Sequence, residues 1–142
     1  MARKNDSLQV NSKKEVHTSK RILVVDDEKD ICDALKSILE RQGFIVDTAN
    51  DGMQAMNIID DGMVPDLIVL DVEMPDMNGY TFMFELYREE KRRSIPVIVV
   101  SAYSEMQPIF SHRGVKDYLI KPTKPEDLLK KIRQHLKLDQ AK

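Results

Sequence analysis

Asp66-Leu67-Ile68-Val69-Leu70-Asp71 runs directly into Val72-Glu73-Met74-Pro75-Asp76-Met77-Asn78-Gly79. The four apolar residues between the two acids form too short a run for a helix, and without alternation they read as a strand buried on both faces. The eight residues that follow carry Pro, Asn and Gly, so Asp71 stands where a buried strand gives way to a surface loop. In a parallel sheet that is the carboxyl edge, where ligands bind. Asp71 is therefore read as a nucleophile toward phosphoryl groups, with the rest of the chain holding, charging and reporting on it.

On the N-terminal side, Ile22-Leu23-Val24-Val25 is a second short apolar run ending in acids, Asp26-Asp27-Glu28. Ile31, Ala34, Leu35, Ile38 and Leu39 then form an amphipathic helical stripe, which Gly43 stops; Cys32 lies beside it as a packing residue. Phe44-Ile45-Val46-Asp47-Thr48-Ala49 is less uniformly apolar, as suits an edge strand. Asn50-Asp51-Gly52 turns the chain into a helix from Met53 to about Asp61, with Ala55, Met56, Ile58 and Ile59 inward and Gly62 and Pro65 after it.

On the C-terminal side, a helix is expected from Tyr80 to about Glu90. Phe82, Met83 and Leu86 form its core face, and Tyr80, Phe84 and Tyr87 a second stripe that is either deeply buried or a contact surface. Arg92-Arg93 reads as a solvated helix exit. Ile95 to Val100 is a fourth buried strand, ending at Ser101. Ser104 with Gln107 resembles a capping box, but Pro108 removes a donor, so the helix there either restarts at Pro108 or is only about two turns long. Gly114 ends it, Lys116 to Ile120 is the last strand before Lys121-Pro122, and Leu128, Leu129, Ile132 and Leu136 stripe a terminal helix. Strand and helix alternate five times with short connections, which gives an α/β fold with an open parallel sheet covered on both faces.

The 142 residues suffice for one domain, placed at 21–138 between a polar N-terminal tail (1–20) and a short C-terminal tail (139–142). With 42% hydrophobic and 32% charged residues and a formal net charge of -2, the chain has no electrostatic drive toward nucleic acid. A single cysteine excludes an internal disulfide, there is no Cys/His cluster for zinc, and neither a signal peptide nor a membrane span is apparent. A cytoplasmic protein is expected. The chain ends soon after Leu136, so output is expected to pass through protein contact or self-association.

Five chemistry-bearing residues fall on one sheet edge: Asp26 and Asp27, Asp71, Ser101 and Lys121. Three carboxylates brought together repel, and a hard divalent cation, Mg²⁺, is the natural remedy. A metal beside Asp71, a lysine on one phosphoryl oxygen and a hydroxyl on another are the parts phosphoryl transfer uses. Taken singly each has a plainer reading: Asp26-Asp27-Glu28 as a helix cap, Ser101 as a turn residue, Lys121 as a surface lysine. Their joint occurrence at separate strand ends favours the common mechanism.

Those segments, with Val99-Val100-Ser101-Ala102 and Gly114-Val115-Lys116-Asp117-Tyr118-Leu119-Ile120-Lys121-Pro122, resemble the receiver domain of two-component response regulators over about residues 20–138. The resemblance implies a flavodoxin-like, doubly wound sheet of order 2-1-3-4-5. It implies an aspartyl phosphate at Asp71, and Mg²⁺ held by Asp26, Asp27, Asp71 and the backbone carbonyl of Glu73. Ser101 and Lys121 would contact phosphoryl oxygens, the bond before Pro122 would be cis, and Tyr118 would be a switch aromatic that turns inward as Ser101 moves. A sensor histidine kinase or histidine phosphotransfer protein is implied as donor. Glu73 and Tyr103 match positions flanking the path of the hydrolytic water, which predicts an unusual phosphorylated lifetime. The interval from Ser101 to Lys121 is slightly shorter than is usual for the family, which alters the fourth helix around Pro108.

Three alternatives compete. An aspartate-nucleophile phosphatase could use Asp71-Val72-Glu73, but such enzymes carry their nucleophile on the first strand and need a substrate-enclosing cap. A flavodoxin-like cofactor binder would want a Ser/Thr/Gly-rich phosphate loop where this chain has Asp26-Asp27-Glu28-Lys29. A receiver that only scaffolds would normally have lost its acids, and here all are present. A phosphoacceptor signalling domain is the reading retained, not a turnover enzyme.

Overall fold

A computed structural model describes residues 19–72 and 77–138. The tail readings of residues 1–18 and 139–142, and everything read at Glu73, lie outside them. The strands are β1 (Arg21–Val25), β2 (Ile45–Ala49), β3 (Leu67–Val72), β4 (Val97–Ser101) and β5 (Asp117–Ile120). The helices are α1 (Lys29–Arg41), α2 (Gly52–Asp60), α3 (Met77–Leu86), α4 (Gln107–His112) and α5 (Pro125–Leu136). All pairings are parallel, in the order β2-β1-β3-β4-β5. This is the doubly wound 2-1-3-4-5 arrangement.

The alternation of a pleated strand sorts the apolar runs onto two faces. Leu23, Val25, Ile68, Leu70, Val97 and Val99 point to one, covered by Ala55 and Ile59 of α2, Phe82, Met83 and Leu86 of α3, and Phe110 of α4. Ile22, Val24, Leu67, Val69, Ile98 and Val100 point to the other, covered by Cys32 and Leu39 of α1 and Leu128 and Ile132 of α5. Full burial of such side chains stabilises the fold by about 1.5–3 kcal/mol each, which is why central strands carry no polar residue until their ends.

Several local expectations need correction. Cys32, not Ala34, lies on the inner face of α1; Ala34 is exposed and Ile31, Leu35 and Ile38 are half-buried. α3 starts at Met77 because Asn78 and Gly79, read as turn residues, occupy its first turn, where backbone N–H groups need no partner within the helix. It ends at Leu86, and the charged run beyond it, with no apolar stripe to bury, makes only a 3₁₀ turn at Glu90–Arg92. Arg92 is no solvated helix end: its side chain is 13% exposed and pairs with Asp60 of α2 at 3.0 Å. The capping box at Ser104 does not form. Ser104–Met106 is a 3₁₀ turn without a side-chain cap, and the six-residue α4 follows with Pro108 in its first turn, where a missing N–H costs nothing.

Of the second stripe on α3, Tyr80 and Tyr87 are half-buried and Phe84 is 48% exposed. The Tyr87 hydroxyl donates to Ile95 O at 2.7 Å. Gly114, at φ +100, ends α4 with its missing Cβ facing the Tyr87 ring, which a side chain would meet at 3.1 Å.

Candidate functional site

Register decides which strand ends meet. Val25 pairs with Leu70 and Asp71 with Val100, so Asp26 stands beside Asp71 one step past the last β1–β3 pair. Both acids share the parity of Ile22, Val24, Leu67 and Val69, which places them toward α1 and α5. Ser101 shares the parity of Val97 and Val99 and lies toward the other face.

The Asp26 backbone is held from three sides. Its N–H donates to Ala49 O at 3.0 Å, and its carbonyl accepts from Asn50 Nδ2 at 3.1 Å and from the Cys32 thiol at 3.4 Å. Asn50, read in the sequence only as a turn residue, is thus a positioning residue. An Asn at that point is also an ordinary turn former, so no sequence signal separates the two roles. Asp26 Oδ1 accepts from the Glu28 N–H at 2.9 Å.

Among the described residues, no aligned hydrogen-bond donor reaches the buried Asp26 Oδ2 or Asp71 Oδ1. The Lys121 ammonium lies 2.7 Å from Asp71 Oδ1, an ion pair without hydrogen-bond alignment. Asp26 is 1% and Asp71 5% exposed. Burial, and after it a proton shared with Asp71, pushes the Asp26 carboxyl up to about 8, with the Asp71 charge acting in the same direction. Two buried carboxyl groups side by side, with a single ammonium paired to one of them, suit a hard cation with oxygen ligands. Asp27, by contrast, is exposed, and no group of three His, Cys, Asp or Glu side chains converges among the described residues.

Ser101 is fully buried, and its Oγ accepts from the Tyr103 N–H at 3.0 Å. The Tyr103 carbonyl in turn accepts from the Tyr118 hydroxyl. Tyr118 is 8% exposed, its ring turned inward with its centroid 6.1 Å from that of Phe110. Ser101, Tyr103 and Tyr118 are therefore one connected chain of bonds. The Lys121–Pro122 peptide is cis, and the Lys121 N–H donates to Ser101 O at 2.8 Å.

A family model described as the response regulator receiver domain matches residues 22–133. The chain belongs to that family. Escherichia coli transcriptional regulatory protein CpxR is 38% identical over 119 residues, 82% of this chain and 49% of CpxR. An uncharacterized 14.6 kDa protein of Leptolyngbya boryana is 34% identical over 116 residues, 80% of this chain and 88% of its own length. This receiver spans about half the length of CpxR and of the probable transcriptional regulator ycf27 of Guillardia theta, which it matches over 48%. Among solved structures, response regulator protein TrrA from Thermotoga maritima in complex with Mg(2+)-BeF is 34% identical, with a TM-score of 0.70 over 82% of this chain and 98% of that one. A CheY-like receiver domain protein from Methanospirillum hungatei is 33% identical, with a TM-score of 0.74 over 87% and 96%. Receivers are signalling domains, not classical enzymes, and no helix among the described residues is long and apolar enough to cross a membrane.

Cys32 adds a check on the packing of the site. Burial first, then the nearby Asp26 charge, pushes its thiol up to about 11. It is expected to react with an aromatic disulfide reagent at neutral pH only as the protein unfolds, because little thiolate is present and access is closed. Rapid titration of one thiol in the native protein would show that the packing of α1 on β1 described above is wrong.

Proposed function

We propose that this receiver accepts a phosphoryl group on Asp71 from a phosphohistidine donor, with Mg²⁺, and thereby switches a protein-interaction surface. The observation that supports it most is the buried Asp26–Asp71 pair, with Asp26 Oδ2 lacking an aligned donor among the described residues and the Lys121 ammonium 2.7 Å from Asp71 Oδ1. An Asp71 carboxylate oxygen attacks phosphorus as the P–N bond to the donor imidazole breaks, and the leaving imidazole takes up a proton. Asp26 must give up its own proton for the site to be loaded. Bound Mg²⁺, held by Asp26 and Asp71 with Asp27 and the Glu73 carbonyl as further ligands, would neutralise the carboxylates and the charge on the phosphoryl oxygens. Lys121 neutralises a second oxygen as a compact charge.

Ser101 is set to report the event. Its oxygen accepts from Tyr103 and its proton can be donated to a phosphoryl oxygen, so a shift of Ser101 pulls on the Tyr103–Tyr118 link. The partners on this reading are a sensor histidine kinase or histidine phosphotransfer protein on the input side. On the output side they are a protein target or a second copy of the chain. The transcriptional roles in the names of its relatives belong to those longer proteins.

Incubation with a small acyl or amido phosphate donor tests the proposal. One phosphate of added mass, only with Mg²⁺ and at a stoichiometric limit, is expected. Steady turnover of a phosphomonoester would instead indicate a phosphatase, and metal-independent labelling elsewhere would sink the proposal. Tyr103→Ala and Glu73→Ala are each expected to change the rate at which the acyl phosphate is lost, measured by the decay of the labelled mass. Unchanged rates in both would remove those residues from the water path.

A further inference from the structure

Away from the carboxyl edge, the groove lined by Met83, Phe84, Tyr87, Arg88, Arg93 and Arg113 gathers three guanidinium groups, with the Glu85 carboxylate on Arg88 as the acid paired to them. In a chain of net charge -2 that is a local excess of positive charge. The arginines reach it from three separate segments: past the end of α3, past the 3₁₀ turn that follows, and past the end of α4. Each is anchored by part of its donor set. Arg88 Nη1 pairs with Glu85 at 3.0 Å, and Arg93 Nε donates to Tyr87 O at 2.8 Å. Arg113 Nε donates to the Tyr80 hydroxyl at 2.8 Å, Nη2 donates to the same oxygen, and the guanidinium carbon lies 4.7 Å and 5.4 Å from the Tyr80 and Phe84 ring centroids. A guanidinium has five N–H donors, so these bonds orient the arginines without exhausting them. Between them Phe84 is 48% exposed, a large apolar side chain half open to solvent beside the Arg113 guanidinium.

We propose that this groove docks an acidic segment of a partner protein, with carboxylates on the arginines and one apolar side chain seated on Phe84 and Tyr87. The charge calls for an anion, and the aromatic floor calls for an apolar group in the same ligand; an acidic peptide with an anchor residue carries both. Guanidinium–carboxylate pairs supply bidentate bonds, and an aromatic ringed by arginines has the composition of an interface hot spot. A bare phosphate would use the arginines and leave the ring uncovered. Because Arg113 closes α4, whose other end adjoins the Ser101–Tyr103–Tyr118 chain, docking here would also bear on the position of α4. The proposal does not rest on phosphorylation, since docking is measured without a phosphoryl donor.

The test is an amide NMR titration at low salt with a synthetic peptide of one phenylalanine flanked by glutamates. A second peptide with glutamine for every glutamate is run beside it. Saturable shifts confined to residues 82–88, 93 and 110–114 are expected, weakening as salt is raised. Arg88→Glu with Arg93→Glu should weaken binding at least about tenfold, and so should the glutamine peptide. Both substituted side chains are exposed, Arg113 is left in place as the tie between α3 and α4, and unchanged melting of the variant confirms its fold. Phe84→Ser, also exposed, should remove the anchor contribution while keeping the salt dependence. Shifts outside the groove, equal binding by the glutamine peptide, undiminished binding by the charge-reversed variant, or no saturable shift would each overturn the proposal. So would displacement of the peptide by inorganic phosphate at equal concentration.

Discussion

Asp71→Asn is expected to abolish the one-phosphate mass increase from a small phosphoryl donor, whatever the Mg²⁺ concentration. The amide is close in size to the carboxylate, so the loss would report the missing nucleophilic oxygen and not a cavity. Asp71 lies 5% exposed with the Lys121 ammonium at 2.7 Å. Lys121→Ala should retain the acceptor and label at least about tenfold more slowly, since it removes one charge from the developing phosphoryl group. Lys121→Arg is not expected to rescue it, because a planar fork does not reproduce a compact ammonium held 2.7 Å from the carboxylate oxygen. Full labelling of Asp71→Asn, read by intact mass, would move the acceptor elsewhere.

The second large effect concerns stability and pH. The Asp26 carboxyl is raised from 3.8 to about 8, so between those values the folded protein holds a proton that the unfolded chain has released. Its contribution is therefore fully present below about pH 4 and is lost as pH rises through 8. In metal-free buffer the urea midpoint is expected to fall across that window, by a free energy on the order of a few kcal/mol from Asp26. Asp26→Asn should flatten this dependence and make the metal-free protein more stable at pH 8 than the parent. Added Mg²⁺ should restore stability to the parent at high pH and do little for the variant, because the cation binds the ionised pair and only the parent has it. A parent whose midpoint is constant from pH 5 to 8 without Mg²⁺ would refute the shared-proton account.

The elements that could be read directly from the chain are those whose pattern is dictated by burial on both sides. Leu67 to Leu70 and Val97 to Val100 could be little else than central strands; β4 closes on its first polar residue, Ser101, and β3 runs one residue past its own, Asp71. The helices were legible where a single stripe meets the sheet, as in α5. Local chemistry is ambiguous elsewhere: Asn78 and Gly79 serve a turn or a helix's first turn equally well, and Ser104 with Gln107 has the composition of a cap without the geometry. Arg92 beside Arg93 looked like a pair of equivalent surface charges. Its partner Asp60 lies thirty-two positions earlier in the chain, and no local rule finds it.

For the site, the sequence by itself determined the inventory and the edge: acids after β1 and within the end of β3, a hydroxyl ending β4 and a lysine after β5. Side-chain type and strand termination are local properties, and a parallel sheet with short crossovers leaves only one edge for them. Tertiary structure decided which of them touch. The register that sets Val25 against Leu70 brings Asp26 beside Asp71, both buried, while Asp27, its neighbour in the chain, stays in solvent. It also joined Ser101 to Tyr118 through Tyr103 and gathered Arg88, Arg93 and Arg113 around Phe84. Pairing and packing between distant segments depend on alignment and shape across the whole sheet, and residue spacing along one segment carries no record of either.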